Sequence, residues 1–460
     1  MTQNATPFDL LQHLYGDAEM AELFSAERTV EAWKAVEGAL AHAQGTLGII
    51  PEHKTSAIQA VCADPDSIDH ESLWHSARTV GYPILGLVRQ IDAALPEEDR
   101  GSVHFGATTQ DIMDSGLALQ LDDALALLEQ RLADFGSGLA ALVAEHAMTV
   151  MPGRTHGQQA VPTTLGAKLA VFLAEVTRHR LRLLAARDDV RCVSLFGAGG
   201  TSAALGDDVA EIRTLVAERL GLLDAVIPWH VARDSIVHAA DIAAGAATTT
   251  TRLAREVADL SRTEIGELGE AKGHHRGASS TMPQKANPIY CESIIGLSVA
   301  ARSAAAGLSR AGEAGHERST GEWQVEWTLL PALFVNASSA LKLSVDLVRE
   351  LAVYPERMRE NLAADGGLIM SEAVMISLAP YLGREDAHDV VYELALKSRA
   401  TKTSFTEVLG VWLAEHPEIP PIEIEAGEKS VGQASQICCA AVDMWTASLT
   451  SNPRPWKETR

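Results

Sequence analysis

The chain has 460 residues, room for two to four domains or for one large helical unit with appended pieces. Apolar residues make up 47% but aromatics only 5%, so the core is built from Ala, Leu, Val and Ile, which suits closely packed helices better than a β-sandwich. A net charge of -23 (38 basic against 61 acidic residues) argues against nucleic acid or a membrane surface as partner. An anionic substrate has to be drawn in locally by a few clustered cations and helix N-termini.

The stretch Met1-Thr2-Gln3-Asn4 carries no basic segment followed by an apolar run, so no signal peptide is expected. No uninterrupted apolar stretch has the length of a membrane span. Cys62, Cys192, Cys291, Cys438 and Cys439 form no CxxC pair, which suits free thiols in a reducing cytoplasm. The expectation is a soluble cytoplasmic protein.

In chain order, residues 28–47 predict one amphipathic helix with Val30, Trp33, Val36, Ala39 and Leu40 on one face and Gly48 near its end. A small helical unit precedes Val103. The polar cluster His104-Phe105-Gly106-Ala107-Thr108-Thr109-Gln110-Asp111 reads either as a turn with Thr109 or Asp111 capping a helix, or as donors gathered around a carboxylate. Long helices are predicted over 117–147 and 164–190. Between them stands a second cluster, Gly153-Arg154-Thr155-His156-Gly157-Gln158-Gln159, whose histidine is either structural or an acid, base or proton relay. The third cluster, Trp229-His230-Val231-Ala232-Arg233-Asp234, precedes a helix over 235–264, with Asp234 or Ser235 as cap; Arg233 and His230 there also suit an anion. His274-His275 hint at a metal, but no second ligand group lies at a fitting interval, so no metal is expected.

The fourth cluster is the densest, running from Gly277 through Ser279, Ser280, Lys285 and Asn287 to Pro288. Its glycine and paired serines predict a mobile loop that delivers a hydroxyl beside two anion ligands. Pro288 opens a helix over 288–311 with Asn287 as cap, and Glu292 is read as a buried-helix carboxylate. A last long helix is predicted over 323–351, and a further helical unit follows Val353. Helices of this length with apolar stripes pack as a bundle.

The run Ser279-Ser280-Thr281-Met282-Pro283-Gln284-Lys285-Ala286-Asn287-Pro288 resembles the signature of the fumarase/aspartase superfamily. Thr108-Thr109 and Thr155-His156 match its other two signature regions in the expected order, so the likeness spans most of the chain. Within the superfamily, His104 to Asp111, Pro228-Trp229-His230 with Arg233-Asp234, and His316-Glu317-Arg318 with Trp323-Gln324-Val325-Glu326-Trp327 are similar to the 3-carboxy-cis,cis-muconate cycloisomerases, with adenylosuccinate lyases next.

The resemblance implies an all-α, three-domain fold (1–102, 103–352 and 353–460) around a central bundle of long helices. It also implies a homotetramer whose active sites are each shared by three subunits, with no cofactor. It makes Ser279 the base, activated by loop amides and Lys285. Lys285 and Asn287 would hold the substrate carboxylate, and Thr108, Thr109, Thr155 and Gln158 complete the cradle with Arg233 and Arg318. His156 would pair with Glu292 and serve the leaving group.

This chain departs from those branches at Gln284 and Ala286, where histidine and arginine are usual, at Tyr82 for asparagine, and at Gly157 for leucine. A less cationic specificity shell with the elimination residues retained implies a smaller substituted succinate. The expected reaction is β-elimination releasing fumarate and a small nitrogen leaving group, an amine or nitrite as in nitrosuccinate lyase. The alternative is lactone formation from 3-carboxymuconate, ahead of the adenylosuccinate reaction. A non-catalytic scaffold would be free to lose Ser279, His156 or Lys285, and this chain keeps all three.

Overall fold

The computed structural model describes residues 8–270, 276–422 and 425–450. From Leu10–Tyr15 (α1) and Ala18–Leu23 (α2) the chain enters Ala26–Thr46 (α3), capped where Arg28 N–H donates to Ser25 Oγ at 3.0 Å. The five residues expected on its apolar face are all buried. Glu52–Ala63 (α4), His70–Val80 (α5) and Ile84–Ala94 (α6) close an apolar core over that face.

The central body is a bundle of long helices. Thr109–Glu145 (α7) leads into the hairpin Val150–Thr155 (β1) and Gln158–Thr164 (β2), and Leu165–Val190 (α8) returns along α7. Cys192–Val193 (β3), Val209–Leu220 (α9) and Leu223–Asp224 (β4) form a side connection, with β3 and β4 paired in parallel. Asp234–Leu260 (α10), Leu268–Gly269 (β5), Ile289–Leu308 (α11) and Glu322–Arg349 (α12) complete the bundle. The polypeptide then pairs Ala352–Val353 (β6) antiparallel with β5.

Helix dominates, as composition predicts, but the all-α expectation misses these three two-stranded sheets. The alanine-rich tract of α10 buries Ala239, Ala240, Ala243, Ala244, Ala246 and Ala247, which lets neighbouring helices approach closely. By length and composition α12 passes as a membrane span, but polar residues interrupt it and 56% of its apolar window is buried in the bundle.

Pro355–Ala363 (α13), Ser371–Leu382 (α14), Arg384–Thr401 (α15) and Phe405–Ala414 (α16) follow, the last three around a separate small core of Val374, Leu378, Val391, Phe405 and Leu409. Ala434–Leu449 (α17) then returns to lie on α7 and α8. Trp445 fills the space over Gly136, where an added Cβ would stand 2.2 Å from the indole. The five cysteines are free thiols.

Alternation of direction gives the bundle two distinct ends. At one, the chain leaving α8 bonds back to the start of α7, and α10 begins beside Asp114. At the other, Arg154 at the hairpin meets Glu267 before β5, and Arg276 ahead of α11 meets Glu350 at the end of α12.

Candidate active site

At the first end, Thr108 occupies the cap position of α7, in place of the expected Thr109 or Asp111. Asp111 lies at the third helical position and accepts from Thr108 N–H at 3.0 Å, closing a capping box. The same carboxylate accepts from Phe196 N–H and Gly197 N–H, both at 2.9 Å, and lies 2.9 Å from His230 Nε2. Burial alone would raise its pKa, but the bonds from His230, Phe196 and Thr108 outweigh burial and hold it below the usual carboxylate range. Asp111 is thus held by the backbone N–H groups of Thr108, Phe196 and Gly197 and by the His230 ring, while the Gln110 amide turns to Asp114.

Arg318 joins this group: its Nε donates to Gln110 Oε1 at 3.0 Å, and its Nη1 lies 3.5 Å from Thr108 Oγ1. Arg318 Nη2 is buried without a hydrogen-bond partner, a free donor at the edge of the cluster. Nearby, His104 Nδ1 lies 2.6 Å from the buried Glu37 carboxylate. Burial lowers the pKa of that imidazole, but the Glu37 charge more than offsets it and leaves the pKa raised.

Arg233 departs from its expected role as a substrate ligand. Its guanidinium is wholly buried, with Nε 2.8 Å and Nη2 2.5 Å from Glu326 and Nη1 2.9 Å and Nη2 3.1 Å from Asp114. Every face it offers is taken, so it ties α10 to α7 and α12. It also stands at the cap position of α10, expected for Asp234 or Ser235, with no side-chain cap bond.

At the opposite end, Thr155, His156, Gly157 and Gln158 form the exposed tip of the β1–β2 hairpin. His156 and Gly157 both take positive φ (52° and 78°), the two-residue turn that matches strand twist. The sequence pattern shows no strands here, because Pro152 and Pro162 interrupt any alternation. His104, His156 and His316 are three of the five non-glycine residues with positive φ among those described, and each stands in a motif that the resemblance singled out.

The serine loop is less free than its composition predicts. Gly277 and Asn287 close its neck through Asn287 N–H to Gly277 O at 2.8 Å, and Ala278 bridges Ala286. Gly277 has φ 63°, and a Cβ there would lie 2.4 Å from Asn287 O, so the neck requires glycine. Ser279 is the first residue beyond the neck. Its Oγ accepts from Met282 N–H at 3.1 Å and Thr281 N–H at 3.3 Å. Lys285 and Asn287 line a cleft of about 530 Å³ beside it with Arg276 and Glu270.

Asn287 is not the cap of α11. Pro288 occupies that position, and Glu270 accepts from Cys291 N–H at 2.8 Å and Tyr290 N–H at 3.2 Å, doing the capping from across the cleft. Nothing in the sequence links Glu270 to a helix start so far downstream. Glu292 is exposed, against the expectation of a buried carboxylate, and makes no pair with His156 among the described contacts of one chain. His274 and His275 lie outside the described residues.

Helix α7 separates the two ends. Its 37 residues, at about 1.5 Å each, put Thr108 roughly 55 Å from the hairpin that follows it. One chain therefore brings Thr108, Gln110 and Arg318 together at one end and carries Ser279, Lys285, His156 and Glu292 at the other.

Bundle, hairpin and serine loop define a helical lyase of shared architecture. The chain matches the family described as "Lyase" over residues 14–302 and that described as "Adenylosuccinate lyase C-terminus" over 367–427. It belongs to the fumarase/aspartase superfamily. It is 39% identical over 397 residues to the 3-carboxy-cis,cis-muconate cycloisomerase of Pseudomonas aeruginosa, covering 85% of this chain and 86% of that one. It is 35% identical over 446 residues to trans-aconitate decarboxylase 1 of Mycosarcoma maydis, covering 96% and 89%. The crystal structure of the 3-carboxy-cis,cis-muconate lactonizing enzyme from Pseudomonas putida superposes with TM-score 0.88 at 33% identity, covering 96% of this chain and 99% of that one.

Proposed function

We propose that the protein is a cytoplasmic lyase that performs anti β-elimination on a substituted succinate, releasing fumarate and a small nitrogen leaving group, an amine or nitrite. The observation that carries this reading is the setting of Ser279. A neutral serine is a poor base, and its Oγ here already accepts two backbone N–H groups, which favour an alkoxide. Ser279 takes the proton from the carbon beside a carboxylate. The C–H pair becomes the double bond of fumarate, and the C–N pair leaves with nitrogen. An amine also takes up a proton, for which His156 with Glu292 is the donor; nitrite leaves as the anion. Lys285 and Asn287 hold the carboxylate whose charge grows as the carbanion forms, with Thr108, Thr109, Thr155, Gln158 and Arg318 completing the cradle.

Because the cradle residues lie at opposite ends of the bundle, the same reading requires several copies of the chain, arranged as a homotetramer with three subunits at each site. A second reading, lactonisation of 3-carboxymuconate, is favoured by the similarity to the Pseudomonas enzymes. Ala286 speaks against it, since no cation stands there for a third carboxylate. Fumarate absorbance over a panel of substituted succinates tests the proposal. Release of fumarate from nitrogen-substituted members is expected, and turnover of 3-carboxymuconate alone would overturn it.

A further inference from the structure

Between the turn joining α5 to α6, the early turns of α7 and the start of α12 lies a cavity of about 480 Å³, within the usual range for small-molecule pockets. Trp33, Trp74, Trp323 and Trp327 line it, half of the chain's eight tryptophans. Composition makes this concentration informative, because aromatics are only 5% of the chain.

The rings hold one another in place. Trp323 and Trp327 meet edge-on at 5.2 Å, and Tyr82 stacks on Trp323 at 5.8 Å and meets Trp327 edge-on at 6.0 Å. Gln324 Nε2 pins the Tyr82 hydroxyl at 3.3 Å. Trp323 is 4% exposed while Trp327 is 40% exposed, so one indole forms a wall and the other an uncovered rim.

Asp114 and Glu326 lie at the cavity, both engaged by Arg233. From Asp114 a chain of bonds leads to the cradle. Gln110 Nε2 donates to Asp114 Oδ2 at 3.0 Å, Arg318 Nε donates to Gln110 Oε1 at 3.0 Å, and Arg318 Nη1 reaches Thr108. Gln110 and the cavity residues Met113 and Asp114 are one turn apart on α7, about 5.4 Å along its axis. Thr108 and Arg318 are thus tied to the cavity wall at Asp114 through the buried Gln110.

We infer that the cavity is a specificity subsite for the substituent of the substrate, and that the substituent is an amine carrying one flat apolar ring. This rests on the elimination reading for the substituent's role as leaving group, though not for its seat. Tyr82, a departure from the related branches, is part of the box. Nitrite fills little of a cavity this size and would lose water against walls that are mostly apolar, with Arg78 the one cation among the lining residues.

The test is binding of 2-benzylsuccinate against succinate to the intact oligomer, read by quenching of tryptophan fluorescence. The benzyl compound binds about ten- to a hundredfold tighter to the natural protein. In Trp327→Ala that ratio collapses towards one, and Trp327→Phe retains most of it. Equal affinities in the natural protein, or a ratio that Trp327→Ala leaves intact, would overturn the inference. Fumarate release from N-benzylaspartate separates the two claims. Tight benzyl binding without fumarate from any substituted succinate sinks the elimination reading and leaves the subsite standing. Elimination that ignores the ring sinks the subsite alone.

Discussion

Arg233 supplies the most quantitative test of how the bundle is held at the Thr108 end. Its guanidinium makes four contacts of 2.5–3.1 Å with Asp114 and Glu326, and all three side chains are 1% exposed. Arg233→Met keeps the apolar stem but strands two carboxylates in a dry site, at a cost of about 3–5 kcal/mol. At roughly 2–4 °C per kcal/mol for a cooperative unit of this size, the first melting transition falls by about 10 °C.

The loss also depends on pH. Burial already raises both carboxyls above their ordinary values despite the arginine, and removing the arginine raises them further. A carboxyl with a raised folded-state pKa contributes stability that is fully present below its unfolded value, near 4, and is lost as pH rises through the folded value. The deficit of Arg233→Met is therefore larger at pH 8 than at pH 5. Scanning calorimetry at both pH values checks this, with Asp114→Leu/Arg233→Met/Glu326→Leu recovering much of the loss. A deficit that grows on acidification, or a melt unchanged by Arg233→Met, would refute the reasoning.

Ser279→Ala should cut fumarate release by at least about a thousandfold with oligomer and melting unchanged, as activity and light-scattering assays on one preparation would show. Gly277→Ala forces an alanine to φ 63° and against Asn287 O, costing about 1–2 kcal/mol for the backbone plus about 1 for the neck bond; turnover drops while the melt holds, since the loop that the buried Gly277 closes is itself exposed over 280–286 and opens locally. Asp111 has a lowered folded-state pKa, so its contribution is present above the unfolded value and is lost as pH falls through the folded one. Asp111→Asn should thus destabilise by about 2–4 kcal/mol at pH 7, with the gap from the natural protein closing below about pH 4 in a denaturant series.

Periodicity makes the long helices legible, because each buries a continuous apolar stripe. The starts were read less well. Thr108 rather than Thr109 caps α7, and Glu270 serves α11 from a segment distant in sequence, which local pattern does not encode. The hairpin under His156 is not legible in the sequence, since its pattern is broken by two prolines and its strands pair only with each other. Arg233 looked like an anion ligand because its partners, Asp114 and Glu326, stand 119 and 93 residues away. The aromatic box is likewise made of residues scattered from Trp33 to Trp327. The division at 102/103 and 352/353 remains our proposal; α17 cuts across it by packing on the central bundle.

The central claim is an elimination site assembled from the Thr108 end of one chain and the Ser279 end of others. It is tested most directly by mixing two inactive variants, Arg318→Ala and Ser279→Ala, unfolding them together and refolding them. Every chain then carries one lesion, yet sites built from two chains are free of both in about a quarter of random pairings. The account predicts recovery of fumarate release to about that fraction of the natural activity. If the mixture stays as inactive as its parents while refolded natural protein regains its rate, both residues serve one chain's site and the account is wrong.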